Sequence, residues 1–414
     1  MLGIQLKTWT KQNFFGPWTN IVMDVFSAPQ QASYNMAGLF CYDRSRGIGS
    51  LFATVVKGIL DNGTPVPDGP YLLGTVPLGT SWTIVVNGPN PFQVVLYDAA
   101  SGTGAFYATD GRGGLTLVKQ YTDWRTSWTQ IVRGNFGRAN LLFYDASSGT
   151  GEFYHVDSNG EMALISSDDG WRNSWQTIIT GKFSDNPHDD LLFYDKAAGV
   201  IEFYQTNGNG GMNPLGHQDG LRQTWHVIAS GFLVPGSTTA GLLFYEDTTG
   251  YTEFYTTDGN GGMSLVNSNP GSQWSNSWQA IFVGNCAPDF YGTDRLCAID
   301  ATQSEIVYFY PERYIPTVLD LNGRWFVDRA GGPAISVEVE GVVLTVDMSA
   351  YRRPAATGTI LDSSTITVTF PDDRTYTGKL LGPNPIHEAI GFQGSIEWSN
   401  GSVWERSSPL LAHL

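Results

Sequence analysis

Three short segments set a tryptophan or leucine, an arginine and small polar side chains side by side. They read Trp124-Arg125-Thr126-Ser127-Trp128, Trp171-Arg172-Asn173-Ser174-Trp175 and Leu221-Arg222-Gln223-Thr224-Trp225. A fourth, Trp274-Ser275-Asn276-Ser277-Trp278, keeps both tryptophans and replaces the arginine by serine. An indole can stack on the C–H face of a sugar ring while neighbouring donors bond its hydroxyls. Trp124, Arg125, Trp171, Arg172, Arg222 and Trp274 are therefore candidate carbohydrate-binding residues. The same tryptophans could equally plug gaps between structural repeats, and the sequence leaves both readings open.

Other chemistries find little support. His155, His188, His217, His226, His387 and His413 are scattered, without H-x-H or H-x-x-x-H spacing, so no metal site is expected. There is no G-x-S-x-G, P-loop or Cys/His pairing, and no cofactor is expected. Ser166-Ser167-Asp168-Asp169-Gly170 begins like the S-x-D-x-G-x-x-W turn of sialidases, but Asn173 stands where that turn ends in tryptophan. The chain is read as non-catalytic.

The elements that position these residues come from a repeat. Trp18, Trp82, Trp128, Trp175, Trp225 and Trp278 each open a copy, and an acid ends an apolar run further on: Asp43, Asp98, Asp145, Asp195, Glu246 and Asp300. A period near 50 residues with several short strands per copy is the pattern of a β-propeller. Each copy divides into W-x-x-I-V-x-G, LLFYD, G-x-E-F-Y and G-M-x-L-V. Between the second and third runs, D-x-x-x-G reads as a turn capped by the carboxylate, with glycine at a positive φ. Glu152, Glu202 and Glu253 recur at the start of the third run and read as structural, as do the turn acids. The inner-strand tryptophans read as core between blades.

The sixth copy stops after its third run, at Glu305-Ile306-Val307-Tyr308-Phe309, while Gly3-Ile4-Gln5-Leu6-Lys7 precedes Trp18 as a fourth run precedes Trp175. The N-terminal strand should complete blade six and close the ring, removing exposed edges. Residues 54–81 read as an elaborated outer strand or loop. The fold expected is all-β: a six-bladed propeller over 1–315, then a domain over 316–414. That second domain shows eight alternating runs and an Asn400-Gly401 hairpin signal, suiting an antiparallel barrel or sandwich. Trp325, Trp398 and Trp404 should plug it.

Lysine and arginine number 23 against 39 acids, a net charge of −16. That balance disfavours nucleic acid and anionic membrane surfaces as partners, and no run is long enough to span a membrane. The N-terminus lacks the apolar stretch of a secretory signal, so a mature chain, another export route or an intracellular protein all fit. Cys286 and Cys297 fall where other copies carry Phe136 and Leu142, which allows either buried thiols or a disulfide.

The run W-x-x-I-x-x-G-x-F…LLFYD…G-x-G-E-F-Y over residues 1–310 resembles bacterial propellers of FG-GAP-like, tachylectin and Photorhabdus lectin type. Gly323-Arg324-Trp325 resembles the opening of lipocalin and avidin-type barrels. The propeller resemblance implies an extracellular or exported lectin with sugar pockets between blades, at the aromatic positions Trp124, Trp171 and Trp274, and glycans as partners. Those lectins have five or seven blades, not six, and these copies lack the D-x-D-x-D-G calcium loop. The alternative is a structural or protein-interaction scaffold, such as an adhesion module, tail component or injected cargo. A homo-oligomer is compatible with either.

Overall fold

The computed structural model describes residues 4–14, 16–24, 38–59, 65–233, 237–269, 274–284, 295–300, 302–313, 321, 323–327, 333–340, 343–361, 364–381 and 392–407. Two compact units emerge, one of Ile4–Ile59 with Pro65–Glu312 and one containing Arg313–Leu414. The first is a six-bladed propeller of four-stranded antiparallel sheets, and the second a closed eight-stranded antiparallel barrel.

Each blade is built alike. In blade three the strands are Gln130–Phe136, Ala139–Asp145, Thr150–Val156 and Met162–Asp168, from channel to rim. The second strand is apolar on both faces because a blade covers each side: in blade four, all six residues of Asp190–Asp195 are buried. Each apolar side chain so buried stabilises the ring by about 1.5–3 kcal/mol. The third and fourth strands slip register at the Phe–Tyr step in blades two to five, a bulge that bends the outer pair.

Ring closure is as the termini implied. Ile4–Asn13 forms the outer strand of blade six, beside Glu305–Arg313. Phe14 N–H continues that contact, donating to the Ser304 carbonyl at 2.7 Å. The Gln279 amide of blade six donates to the Trp18 carbonyl of blade one. Phe14, Trp18, Leu39, Cys41 and Phe52 share one core with Cys297, Ile299 and Ile306. Burial pushes the Cys41 thiol well above its ordinary value. Cys297 is buried too; Cys286, and with it the disulfide alternative, lies outside the described residues. The elaborated 54–81 segment resolves into two long paired strands, Ile48–Ile59 and Pro65–Pro77, at the rim of blade one.

In the barrel, the eight strands run in sequence order from Gly323–Val327 to Val403–Ser407 and close on each other. Trp325, Trp398 and Trp404 are buried inside among Ile335, Leu344, Val346, Ile366 and Ile396. The Trp325 indole N–H donates to the Leu321 carbonyl at 2.9 Å. A Cβ added to Gly378 would lie 2.7 Å from Ile396 and 3.1 Å from Ile366 and Trp398. The interior is thus a packed core rather than a cup. No described helix is long and apolar enough to cross a membrane.

Candidate binding face at the blade crossings

The candidate residues lie where the chain crosses from one blade's rim to the next blade's inner strand. Three kinds of contact hold the crossings. First, a crossing's leading residue donates backbone N–H to the turn glycine behind it: Trp124 to Gly102 at 3.0 Å, Trp171 to Gly149 at 3.0 Å, Leu221 to Gly199 at 2.9 Å. Second, the carbonyl of its next residue accepts the hydroxyl of the LLFYD tyrosine. Tyr97 reaches Arg125, Tyr144 reaches Arg172 and Tyr194 reaches Arg222 at 2.6, 2.6 and 2.5 Å. Burial pushes the Tyr194 hydroxyl up to about 12. Third, the crossing's serine donates to the turn acid of the following blade, Ser127 to Asp145 at 2.5 Å and Ser174 to Asp195.

The turn acids are caps, as the motif implied. Asp145 Oδ1 accepts the Ser147 N–H at 2.9 Å, and Gly149 takes φ +69°. Burial pushes the Asp145 carboxyl up, but hydrogen bonds from Ser127 and Ser147 outweigh it and hold the group below the usual carboxylate range. Among the described residues, no three His, Cys, Asp or Glu side chains come together as a metal site would require.

The leading tryptophans Trp124, Trp171 and Trp274 pack between two blades. Trp124 meets Tyr97 and Phe106 of blade two and Phe143 of blade three, with Tyr121 stacked on it at 5.9 Å. Trp171 stacks with Tyr144 at 6.1 Å and meets Phe193 edge-on at 5.2 Å. Trp274 is buried and lies parallel to Phe309 at 5.0 Å. This packing fits the plug reading for the buried Trp274, while Trp124 and Trp171 each keep part of their surface exposed. It occupies part of the indole surface that a sugar platform would use. The second tryptophans are buried in all six copies.

The arginines differ: their side chains are 45–49% exposed at the crossings. Arg125 lies over Trp128 at 5.0 Å and Arg172 over Trp175 at 5.1 Å. Each donates at 2.5 Å to the glutamate of the blade it enters, Arg125 to Glu152 and Arg172 to Glu202. The other carboxylate oxygen accepts a tyrosine hydroxyl, Tyr154 on Glu152 at 2.5 Å and Tyr204 on Glu202 at 2.6 Å. Burial, then the bond to each glutamate, pushes both tyrosines up.

Sequence reading kept these glutamates and arginines apart, although the repeats themselves link them. Three residues before the inner tryptophan the six copies carry Phe15, Gly79, Arg125, Arg172, Arg222 and Ser275. Seven residues after the turn acid they carry Ser50, Ala105, Glu152, Glu202, Glu253 and Val307. Arginine and glutamate occur together in blades three to five and are jointly replaced elsewhere, so they form one device. Arg125→Ser alone should therefore cost about 1–3 kcal/mol, because it strands a buried carboxylate. Adding Glu152→Val, which restores the blade-six pair, should recover most of that loss in a denaturant double-mutant cycle.

A second signal was also missed. The loops between third and fourth strands, Asp157-Ser158-Asn159-Gly160-Glu161 and its equivalents, clasp the preceding blade. Tyr121 donates to the Gly160 carbonyl at 2.9 Å, and Lys119 pairs with Glu161 at 2.7 Å. The repeated Asx-Gly spacing carried that information.

The fold and this face define a closed six-bladed propeller followed by a small filled barrel. No family model matches the sequence, and neither does any curated protein. Among solved structures it is similar to a Lactobacillus plantarum protein, at 15% identity and TM-score 0.41, covering 70% of this chain and 87% of that one. Virginiamycin B lyase from Staphylococcus aureus shares 12% identity at TM-score 0.41, over 75% of this chain and all of its own. The WD40 domain of Toxoplasma gondii coronin shares 10% at TM-score 0.41, over 76% and 88%. Similarity at this level carries nothing about function, and the fold rests on the strand pairing above.

Proposed function

We propose that the propeller is a non-catalytic scaffold that docks another protein on its crossing face, over blades three to five. The observation that supports this reading is the display of three half-exposed arginines from a backbone fixed at two points per crossing. Arginine is enriched among residues that dominate protein interfaces. A side chain already ordered by aromatic stacking and a buried carboxylate loses less freedom on binding.

The narrower glycan reading draws on the same crossings. Arg125 beside Glu152, and Arg172 beside Glu202, set a donor next to an acceptor, which suits neighbouring hydroxyls. A sugar there would meet guanidinium edges beside the part-exposed indoles of Trp124 and Trp171.

The test replaces the three pairs by the blade-six pair: Arg125→Ser with Glu152→Val, Arg172→Ser with Glu202→Val, and Arg222→Ser with Glu253→Val. Immobilised wild type and variant, of equal melting temperature, are compared for capture from a cell extract and for glycan-array binding. Loss of one and the same polypeptide from the variant supports docking on this face. Identical capture by both proteins refutes it. Array binding confined to wild type would favour the glycan reading.

A further inference from the structure

Blade five breaks the arginine–glutamate pattern in a specific way. In blades three and four the arginine holds glutamate Oε1, while a tyrosine two residues after the glutamate holds Oε2. In blade five, Oε2 of Glu253 still accepts from Tyr255, at 2.7 Å, but Oε1 accepts from Tyr251, at 2.9 Å. Tyr251 stands where blades three and four carry Thr150 and Val200, which cannot reach that oxygen. Arg222 Nε stands 3.8 Å from Glu253 Oε1, an ion pair without a hydrogen bond, with its side chain 49% exposed. Its guanidinium lies 4.0 Å from the Tyr251 ring centre, and that ring stacks in turn on Trp225 at 6.0 Å.

We infer that Arg222 is a carboxylate-binding anchor on the crossing face, left without a hydrogen bond to its own glutamate by Tyr251 and held in place by stacking. This rests on the docking reading above and names the chemistry of one contact within it. A stacked guanidinium with donors facing solvent matches a carboxylate's two oxygens side by side. The ligand is an acidic side chain or chain terminus of the partner. The surrounding field opposes it, since Glu253 at 3.8 Å and a net charge of −16 are both negative. Recognition must therefore come from short-range bidentate contact, and it should strengthen as salt screens the repulsion. That sign is opposite to the behaviour of ordinary charge steering.

The probe is a blocked peptide with one glutamate between glycines, added to the full chain while the arginine Nε–Hε resonances are followed by NMR. Inorganic phosphate is titrated separately. Wild type should show a saturable shift at Arg222 and none at Arg125 or Arg172. Affinity should rise between about 0.01 M and about 0.1 M salt, as the Debye length shortens from about 30 to about 10 Å. Arg222→Gln should weaken binding about tenfold or more. Val200→Tyr should create a second responsive site at Arg172, a gain that loss of folding cannot mimic. No shift at Arg222, an equal shift at Arg125, or a response to phosphate and not to the peptide would each overturn the inference. If the paired replacements abolish capture while Arg222→Gln retains it, the docking face stands and the Arg222 anchor fails.

Discussion

A chain lacking residues 1–13 should aggregate, or melt roughly 10 °C or more below the full protein. Ile4–Asn13 is the outer strand of blade six, so its removal leaves Glu305–Arg313 unpaired along one side. The Phe14 contacts to Trp18 at 6.1 Å and Phe52 at 5.1 Å lose their support at the same step. Unpaired strand edges template association. Losing a strand's ladder and packing costs several kcal/mol, each worth about 2–4 °C in a domain of this size class. Light scattering and a thermal melt decide the matter. A soluble, monomeric truncation with an unchanged melting temperature would show that the N-terminal strand is not what closes the ring.

The second large effect concerns the fit between crossing and blade. Gly151 lies under the Trp171 indole, and a Cβ there would sit 2.3 Å from the ring. Gly104 lies under Trp124 in the same way, with 2.2 Å to the ring. Blade four reverses the sizes: Ile201 replaces the glycine, and Leu221 replaces the tryptophan in the same core. Gly151→Ile should therefore destabilise by about 3 kcal/mol or more through overpacking. Trp171→Leu should remove part of that cost, so the double variant is more stable than the sum of the singles by about 1–3 kcal/mol. Additive single and double costs in denaturant melts would contradict the packing role of the crossing tryptophan.

Much of the fold was legible because it is written in periodic residues. Trp128, Trp175 and their equivalents mark inner strands. The turn Asp–Gly pairs mark the second hairpin, and the run that blade six lacks pointed to the N-terminus. All eight barrel strands followed from alternation, down to the interior Trp325 and Trp398. The barrel itself could not be chosen over a sandwich, since alternation fixes which face is buried and not whether the first strand meets the last. The site was harder to read. The indoles of Trp124 and Trp171 have the composition of a sugar platform, and only the surrounding rings show which faces are taken. Pairing of Arg125 with Glu152 spans two structural elements and becomes visible only when six copies are compared position by position. The role of Tyr251 needed atom-level geometry, because nothing in its residue type says which carboxylate oxygen it will claim.

The partner is expected on the crossing face over blades three to five. Hydrogen exchange of the full chain, with and without the captured polypeptide, tests it most directly. Added protection is predicted at residues 122–128, 169–175 and 219–225, with the opposite-face loops 157–161, 207–211 and 258–262 unchanged. Protection confined to those opposite loops, or to the barrel strands, would contradict it.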